Sequence, residues 1–166
     1  LSSWPELPAD VSIGRLPDGS RTWSLFPIPS PGERNTTDVA RTRVAGTVNL
    51  VSADGHITSH PNNKDRIRYT TDGAAVTDSS PLLTDGLLVT PGRVVRARRM
   101  PTNALPGPET MLTVQDGRRE PTYISIAGDP VALYNDTSGI LAEGAAANFS
   151  RSGPAWQKPV LVELAF

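Results

Sequence analysis

Two histidines four residues apart, His56 and His60, form a pair whose spacing could do chemistry. On a helix, histidines at i and i+4 lie on one face and can bind zinc. However, Asp54-Gly55 precedes the pair and Pro61 follows it, and both features oppose a helix. We therefore predict that the two histidines lie in a solvated loop. A Ser-His-Asp site using nearby Ser59 is not expected either, because no G-x-S-x-G nucleophile turn occurs.

The acidic residues and the cysteine count give no further catalytic or metal pattern. The chain has no cysteine, which excludes disulfides, cysteine-ligated zinc and a cysteine nucleophile. Asp-Gly occurs five times, but the alternating carboxylates of a calcium loop, Asp-x-Asp, do not occur. The Asp-Gly pairs favour tight hairpin turns instead. We predict no catalytic residue, no metal site and no cofactor in this chain.

A local run of basic residues could contact an anionic polysaccharide or phosphate; it comprises Arg93, Arg96, Arg98 and Arg99. The whole chain has 16 basic and 17 acidic residues, a net charge of −1, which gives no case for a nucleic-acid partner. We therefore predict that these arginines form the outward, solvated face of a strand. No apolar run approaches the roughly 20 residues of a membrane helix, so we expect no membrane insertion.

Aromatic side chains near predicted strands are candidates for stacking on sugar rings. The six tryptophans and tyrosines are Trp4, Trp23, Trp156, Tyr69, Tyr123 and Tyr134. Buried packing is the usual role of such residues. We predict carbohydrate contacts for Trp4, which is the most plausible exposed tryptophan, and for Tyr69.

The elements that would position these residues are short strands. The chain contains 14 glycines and 16 prolines, a density that opposes long helices. Alternating residues predict strands at 22–26, 46–52, 66–70, 86–90, 93–100 and 109–114. In the strand 93–100, Val95 and Ala97 fall on one face, and Arg96 and Arg98 on the other. Short, regularly spaced strands predict an all-β fold, an immunoglobulin- or fibronectin-III-like antiparallel β-sandwich with short flanking strands.

Composition divides the chain into three segments, 1–35, 36–116 and 117–166. A proline-rich connector at 27–32 ends the first segment, and a charged turn at 116–121 ends the second. The chain begins at Leu1, and 158–166 resembles a strand with nothing after it. We therefore expect a fragment of a larger protein, with the remainder of the same polypeptide as its partner.

The central segment resembles the β-sandwich modules at the C-terminus of chitobiase and β-hexosaminidase enzymes. The residues that carry this resemblance are 67–73 (IRYTTDG), 80–82 (SPL) and 92–98 (GRVVRAR). The resemblance implies that Tyr69 fills the core beside Val95 and Ala97, and that Asp72-Gly73 reverses the chain. The sequence departs from the family pattern at 74–76, where serine and proline are usual.

The two flanking segments resemble other families found in bacterial exported proteins. Residues 7–15, 17–19, Trp23 and 29–35 resemble the last third of a bacterial lamin-tail domain. The C-terminal segment resembles the opening of the CotH family of spore-coat and surface proteins, which have an atypical kinase-like fold. The residues that carry this resemblance are 121–126, 129–130, 133–134, Asp136, 139–140, Asn148, Arg151, Gly153, Trp156, Pro159 and 162–164. The resemblance gives Trp23 and Trp156 packing roles. The catalytic residues of the CotH family lie further downstream, so none is assigned here.

Together these features predict a non-catalytic accessory or spacer module of a large exported bacterial protein, which presents or supports a CotH-like domain. The resemblances imply an extracellular or cell-surface location. A carbohydrate-binding accessory domain is one alternative, with polysaccharide as its partner. A fragment of a CotH-type atypical protein kinase is the other, although no glycine-rich phosphate loop is visible.

Overall fold

The computed structural model describes residues 7, 11–38, 40–60, 66–115, 122–144 and 147–165. Trp4 and the charged turn 116–121 lie outside these residues. Most of the regular structure consists of antiparallel strands, so the prediction of an all-β fold is confirmed. The finer immunoglobulin or fibronectin-III assignment stays a prediction. The strands are β1 Ser12–Arg15, β2 Trp23–Phe26, β3 Asn49–Ala53, β4 His56–His60, β5 Ile67–Thr70, β6 Leu87–Leu88, β7 Val94–Arg99, β8 Thr110–Thr113, β9 Tyr123–Gly128 and β10 Val160–Ala165.

Two three-stranded sheets, β3-β4-β6 and β5-β7-β8, form the centre of the molecule. Both sheets are antiparallel throughout. Alternate residues of their strands turn toward a shared apolar core, as expected for stacked sheets whose side chains have a period of two. The buried core residues are Val48, Leu50, Ile57, Ile67, Leu83, Val89, Val95, Ala97 and Val114.

Tyr69 packs at the edge of this core and is only half-buried. It lies opposite Ala97 in the register of β5 and β7. Val95 and Ala97 have no exposed surface. The tyrosine therefore contacts the core without being enclosed by it, unlike the core-filling role that the family resemblance implied.

The prediction of a solvated loop at His56 and His60 is wrong, because both residues belong to strand β4. Asp54 and Gly55 form a two-residue turn with φ of 51° and 76°, and Ala53 pairs with His56 directly across it. Such a turn matches the twist of the strands that it joins. Asp54-Gly55 therefore forms a hairpin turn, in keeping with the turn preference of Asp-Gly, and His56 begins the second strand of that hairpin rather than a loop.

The first two strands form a separate hairpin, β1-β2, which attaches to the segment before β3. Leu25 and Arg41 exchange two backbone hydrogen bonds of 2.7 and 2.8 Å. Phe26 is 2% exposed, so the end of β2 is buried. The N-terminal hairpin is thus joined to the segment before β3 by a backbone bridge as well as by the connector.

The last two strands form a hairpin, β9-β10, with six residue pairs in register from Tyr123↔Ala165 to Gly128↔Val160. A five-residue helix, α1 (Pro130–Tyr134), and two 3-10 turns, Asn148–Ser150 and Pro154–Trp156, lie between the two strands. Asp129 caps α1, since its Oδ1 accepts a 2.8 Å hydrogen bond from the Val131 N–H. This region supplies nearly all the helix of the described chain.

The C-terminal hairpin contacts the central sheets at two places. The carboxylate of Glu163 in β10 accepts a 2.7 Å hydrogen bond from the Thr113 N–H of the edge strand β8. At the second place, Gly73 lies so close to the hairpin that a Cβ added there would be 2.9 Å from the Gly128 carbonyl oxygen. The hairpin is therefore seated on the sandwich rather than only tethered to it.

Candidate functional site

The predicted basic stripe is broken up in the structure. Arg96 is 8% exposed, so the prediction that it lies on a solvated face is wrong. Its guanidinium pairs with the carboxylate of Glu109, with Nε 3.0 Å from Oε2, and its Nη1 donates to the Gly73 carbonyl. Glu109 also accepts a 3.0 Å hydrogen bond from the Val76 N–H. This network holds the segment after β5 over the outer face of the sheet, which covers Arg96.

The other arginines of the stripe do not form one surface either. The Arg98 Nε donates to the Gly107 carbonyl, and Arg98 and Arg99 are both half-buried. Arg93 is exposed at the opposite end of β7. The stripe therefore gives no continuous basic track for an anionic polymer.

A groove crosses the end of the sandwich where Tyr69 lies. Its central depression, about 340 Å³ in volume, is lined by Tyr69, Thr71, Asp72, Leu87, Leu88, Val89, Thr90 and Arg93. A second depression of about 530 Å³ shares 88–90 with it and adds Asp54, Gly55, Pro91 and Gln115. We call these two depressions, with the third described next, the Tyr69 groove.

The third depression, about 220 Å³ in volume, extends the Tyr69 groove toward the C-terminal hairpin. It shares Thr71, Asp72 and Arg93 with the central depression. Its far side is formed by Ile126, Gly128 and helix α1, including Tyr134. Tyr134 is 64% exposed. The groove therefore has one tyrosine in its middle, Tyr69, and a second, accessible one at its end, Tyr134.

The polar groups of the groove are compatible with a hydroxyl-rich ligand. Asp72 is exposed, and its Oδ1 accepts a 3.0 Å hydrogen bond from the Ala74 N–H, which fixes the orientation of the carboxylate. Arg93 supplies guanidinium donors on the same depression, and Thr90 adds a hydroxyl. One carboxylate and one guanidinium leave the central depression without a strong net charge. Apolar and aromatic walls with a few convergent polar groups are typical of small-molecule sites.

The histidine pair does not form a site in this structure. Four residues along a strand span about 13 Å, so the Cα atoms of His56 and His60 are too far apart for shared ligation of one ion. The Nδ1 of His56 lies 3.2 Å from the Asp54 carbonyl oxygen. Ser59 is 1% exposed and faces the interior. Within the described ranges, no group of three or more His, Asp or Glu side chains is placed to hold a metal ion.

Of the remaining candidate residues, Trp23 and Trp156 lie apart from the groove. Trp23 is half-buried in the N-terminal hairpin, with the guanidinium carbon of Arg15 5.1 Å from the centre of its ring. Trp156 is half-buried in a 3-10 turn of the C-terminal region. Gly73 is buried with φ of +86°, a conformation that suits glycine and that places the chain reversal next to the groove. Of the two predicted carbohydrate contacts, only Tyr69 lies among the described residues, and it lines the groove.

Sequence reasoning missed Thr90 and Gln115 as groove residues, and it named Tyr134 as a candidate aromatic without placing it in the same groove as Tyr69. A signal was present in the turns, since Asp72-Gly73 follows β5 and Pro91-Gly92 precedes β7. In an antiparallel pair, the end of one strand lies beside the start of its partner. The two turns could therefore have been placed at the same end of the sheet, although the approach of α1 could not.

Comparisons with known proteins give no match: no family model, curated protein or solved structure matches this chain. The resemblances drawn from the motifs therefore remain expectations. None of the helices among the described residues is long and apolar enough to cross a membrane.

Proposed function

We propose that this chain is a non-catalytic accessory module of a larger exported bacterial protein, and that it supports a CotH-like unit of which β9 and β10 are the first strands. The observation that carries the proposal is the exposed apolar face of the C-terminal hairpin. One face of β9-β10 presents only apolar side chains, all at least 40% exposed: Ile124, Ile126, Val160, Val162 and Leu164. We call these five residues the hairpin face.

The architecture of the hairpin supports a covering unit supplied by the same polypeptide. An isolated two-stranded sheet is at best marginally stable in water and needs a third strand or a packed layer. The other side of this hairpin already rests on the sandwich through Glu163 and Thr113. An additional unit of the same chain could cover the hairpin face without the entropic cost of joining two molecules. The sandwich would then act as its support and spacer.

Thiol labelling tests this proposal cleanly, because the chain has no cysteine of its own. Val162→Cys places one thiol on the hairpin face, where Val162 is 55% exposed. Val51→Cys is the matched control on β3, where Val51 is 45% exposed.

The labelling rates are compared between the 166-residue chain and the longer polypeptide that the proposal requires. In the longer polypeptide, we expect the thiol of Val162→Cys to react with a maleimide at least about tenfold more slowly, because a covered thiol reacts only when the covering unit opens locally. The thiol of Val51→Cys should react equally in both chains. Equal labelling of Val162→Cys in the two chains would overturn the supporting role.

A second candidate function is carbohydrate binding, which the Tyr69 groove favours. The groove combines Tyr69 and Tyr134 with polar groups from Asp72, Thr90 and Arg93. Tyrosine offers an apolar ring face and a polar tip, which suits the mixed surface of a sugar. A continuous groove accommodates an extended chain better than a single sugar.

Titration with chitohexaose and cellohexaose, followed by calorimetry, tests this second candidate. We expect saturable binding that weakens at least about fivefold in Tyr134→Ala, through loss of the aromatic contact. Phe149→Ala is the matched control, because Phe149 is an aromatic residue outside the groove with 63% exposure, close to that of Tyr134. An absence of binding by either oligosaccharide, or equal losses in the two variants, would reject the groove as a sugar site. The third alternative, a CotH-type kinase fragment, stays a prediction.

A further inference from the structure

A cavity of about 480 Å³ lies at the end of the sandwich opposite the Tyr69 groove. It is formed where the N-terminal hairpin meets the central sheets, with Pro27 and Arg41 on one side and Arg66, Met100 and Leu105 on the other. Its volume falls within the range of small-molecule sites, which often lie at such junctions. We call it the junction cavity.

Among the described residues that line the junction cavity, the charged ones are predominantly basic. Two guanidinium groups, those of Arg41 and Arg66, and one carboxylate, that of Asp78, line it. Asp78 forms no ion pair with Arg41 or Arg66, so it neutralises neither cavity arginine. The described lining residues therefore carry an excess positive charge.

Arg41 is held in position, yet most of its hydrogen-bonding capacity remains available. Its Nη1 donates to the Ala40 carbonyl at 2.9 Å and to the Asp38 carbonyl at 3.3 Å. Its Nε and Nη2 make no hydrogen bond within the described part of the chain, and neither does any guanidinium nitrogen of Arg66. Guanidinium groups present parallel N–H donors whose spacing matches the oxygens of a carboxylate or phosphate. Two such groups around one space are suited to an acidic ligand.

The floor of the junction cavity is apolar and well packed. Met100, Ala104 and Leu105 line it, and each is less than 9% exposed in the whole molecule. Three prolines, Pro27, Pro101 and Pro106, add rigid apolar walls. Such a floor would bind an inorganic ion poorly but would contact the body of an organic ligand.

We propose that the junction cavity binds an organic anion, whose carboxylate or phosphate group lies between Arg41 and Arg66 and whose apolar body lies over Met100 and Leu105. A ligand held in this way contacts both the sandwich and Arg41, the residue to which Leu25 of the N-terminal hairpin is bridged. Its binding therefore stabilises the seating of the segment that carries the hairpin. This proposal does not depend on the proposed accessory role or on carbohydrate binding.

The test is a titration of the full 166-residue chain with four probes: phenyl phosphate, benzoate, inorganic phosphate and benzyl alcohol. We expect saturable binding of phenyl phosphate or benzoate, with dissociation constants measured by NMR chemical-shift changes at Met100 and Leu105. The tighter of these two probes identifies the acidic group. Inorganic phosphate and benzyl alcohol should each bind at least about tenfold more weakly, because inorganic phosphate lacks the apolar body and benzyl alcohol lacks the acidic group. Equal binding of all four probes, or of none, would overturn the proposal.

Three variants locate the site. Arg66→Gln should weaken the tighter probe at least about tenfold through loss of charged hydrogen bonds. Because the Arg66 side chain is exposed and its guanidinium makes no hydrogen bond to a described residue, this change leaves the fold intact. Arg21→Gln removes an exposed arginine that lines neither the junction cavity nor the Tyr69 groove and should leave binding unchanged. Asp78→Asn should tighten binding about two- to fivefold, because it removes the opposing carboxylate. Equal effects of Arg66→Gln and Arg21→Gln would show only a non-specific response to charge and would overturn the assignment to this cavity.

Discussion

The central sandwich and the C-terminal hairpin are built from similar strands but differ in what covers their apolar faces. In the sandwich, Ile57 and Val95 have no exposed surface, because a second sheet lies on theirs. In the hairpin, the residues of the hairpin face are between 40% and 67% exposed, although their strands pair over six residues. Hydrogen-bonded strand pairing alone therefore forms a sheet, whereas burial of its apolar face needs a second packed layer.

The largest expected effect comes from truncating one isoleucine in each region. Ile57→Ala removes a fully buried side chain and should lower the free energy of unfolding by about 4 kcal/mol, from lost burial plus the cavity left behind. Ile124→Ala on the hairpin face, where Ile124 is 67% exposed, should change it by less than about 0.5 kcal/mol. Urea denaturation followed by circular dichroism measures both. Equal losses would mean that the hairpin face is covered by something other than solvent.

A second pair of changes compares two carboxylates: that of Glu109, which holds the segment after β5, and that of Glu163, which joins the C-terminal hairpin to strand β8. Glu109→Ala leaves the guanidinium of Arg96 buried without its partner and should cost about 3 kcal/mol. Glu163→Ala removes one hydrogen bond between hairpin and sandwich and should cost about 1 kcal/mol.

Two measurements separate the roles of these carboxylates. Hydrogen exchange should accelerate at the Thr113 amide in Glu163→Ala and at the Val76 amide in Glu109→Ala. The double variant Arg96→Met with Glu109→Leu should recover part of the stability lost in Glu109→Ala, because no buried charge remains. A double variant as unstable as Glu109→Ala would show that the ion pair is not the cause of the loss.

Much of the difference between the central sandwich and the C-terminal hairpin could not be predicted from the sequence. Alternation along β7 correctly separates Val95 and Ala97 from Arg96 and Arg98, since side-chain direction in a strand is a local property. The burial of Arg96 depends on Glu109, 13 residues away, and on the loop at Gly73, which alternation does not encode. The same holds for the candidate groove. Tyr69 and Asp72 could be singled out from one motif, whereas the approach of Tyr134 depends on how the hairpin is seated.

The contact between the two regions can be tested at a pair of glycines in Asp-Gly turns. Gly73 and Gly86 have similar backbone conformations, with φ of +86° and +78°. Alanine at either position should cost about 1 kcal/mol from the unfavourable φ alone. Only at Gly73 would the added Cβ meet the hairpin, 2.9 Å from the Gly128 carbonyl oxygen, whereas nothing lies within 4 Å at Gly86. We expect Gly73→Ala to lose about 1–2 kcal/mol more than Gly86→Ala in the same denaturation assay. Equal losses would show that the hairpin moves aside freely.

The smallest expected change in stability is also the one that most directly examines the hairpin face. Val162→Thr keeps the shape of a β-branched side chain on an exposed strand, so the free energy of unfolding should change by less than about 0.5 kcal/mol. The same substitution should lower the fluorescence of a bound hydrophobic dye, because the exposed apolar area decreases. Val51→Thr on β3 should leave the dye signal unchanged, since Val51 is exposed without an apolar face of this size around it. A dye signal that falls equally in both variants would mean that the hairpin face binds the dye no better than an ordinary strand surface. The central sandwich and the C-terminal hairpin would then differ only in how far their apolar residues are buried.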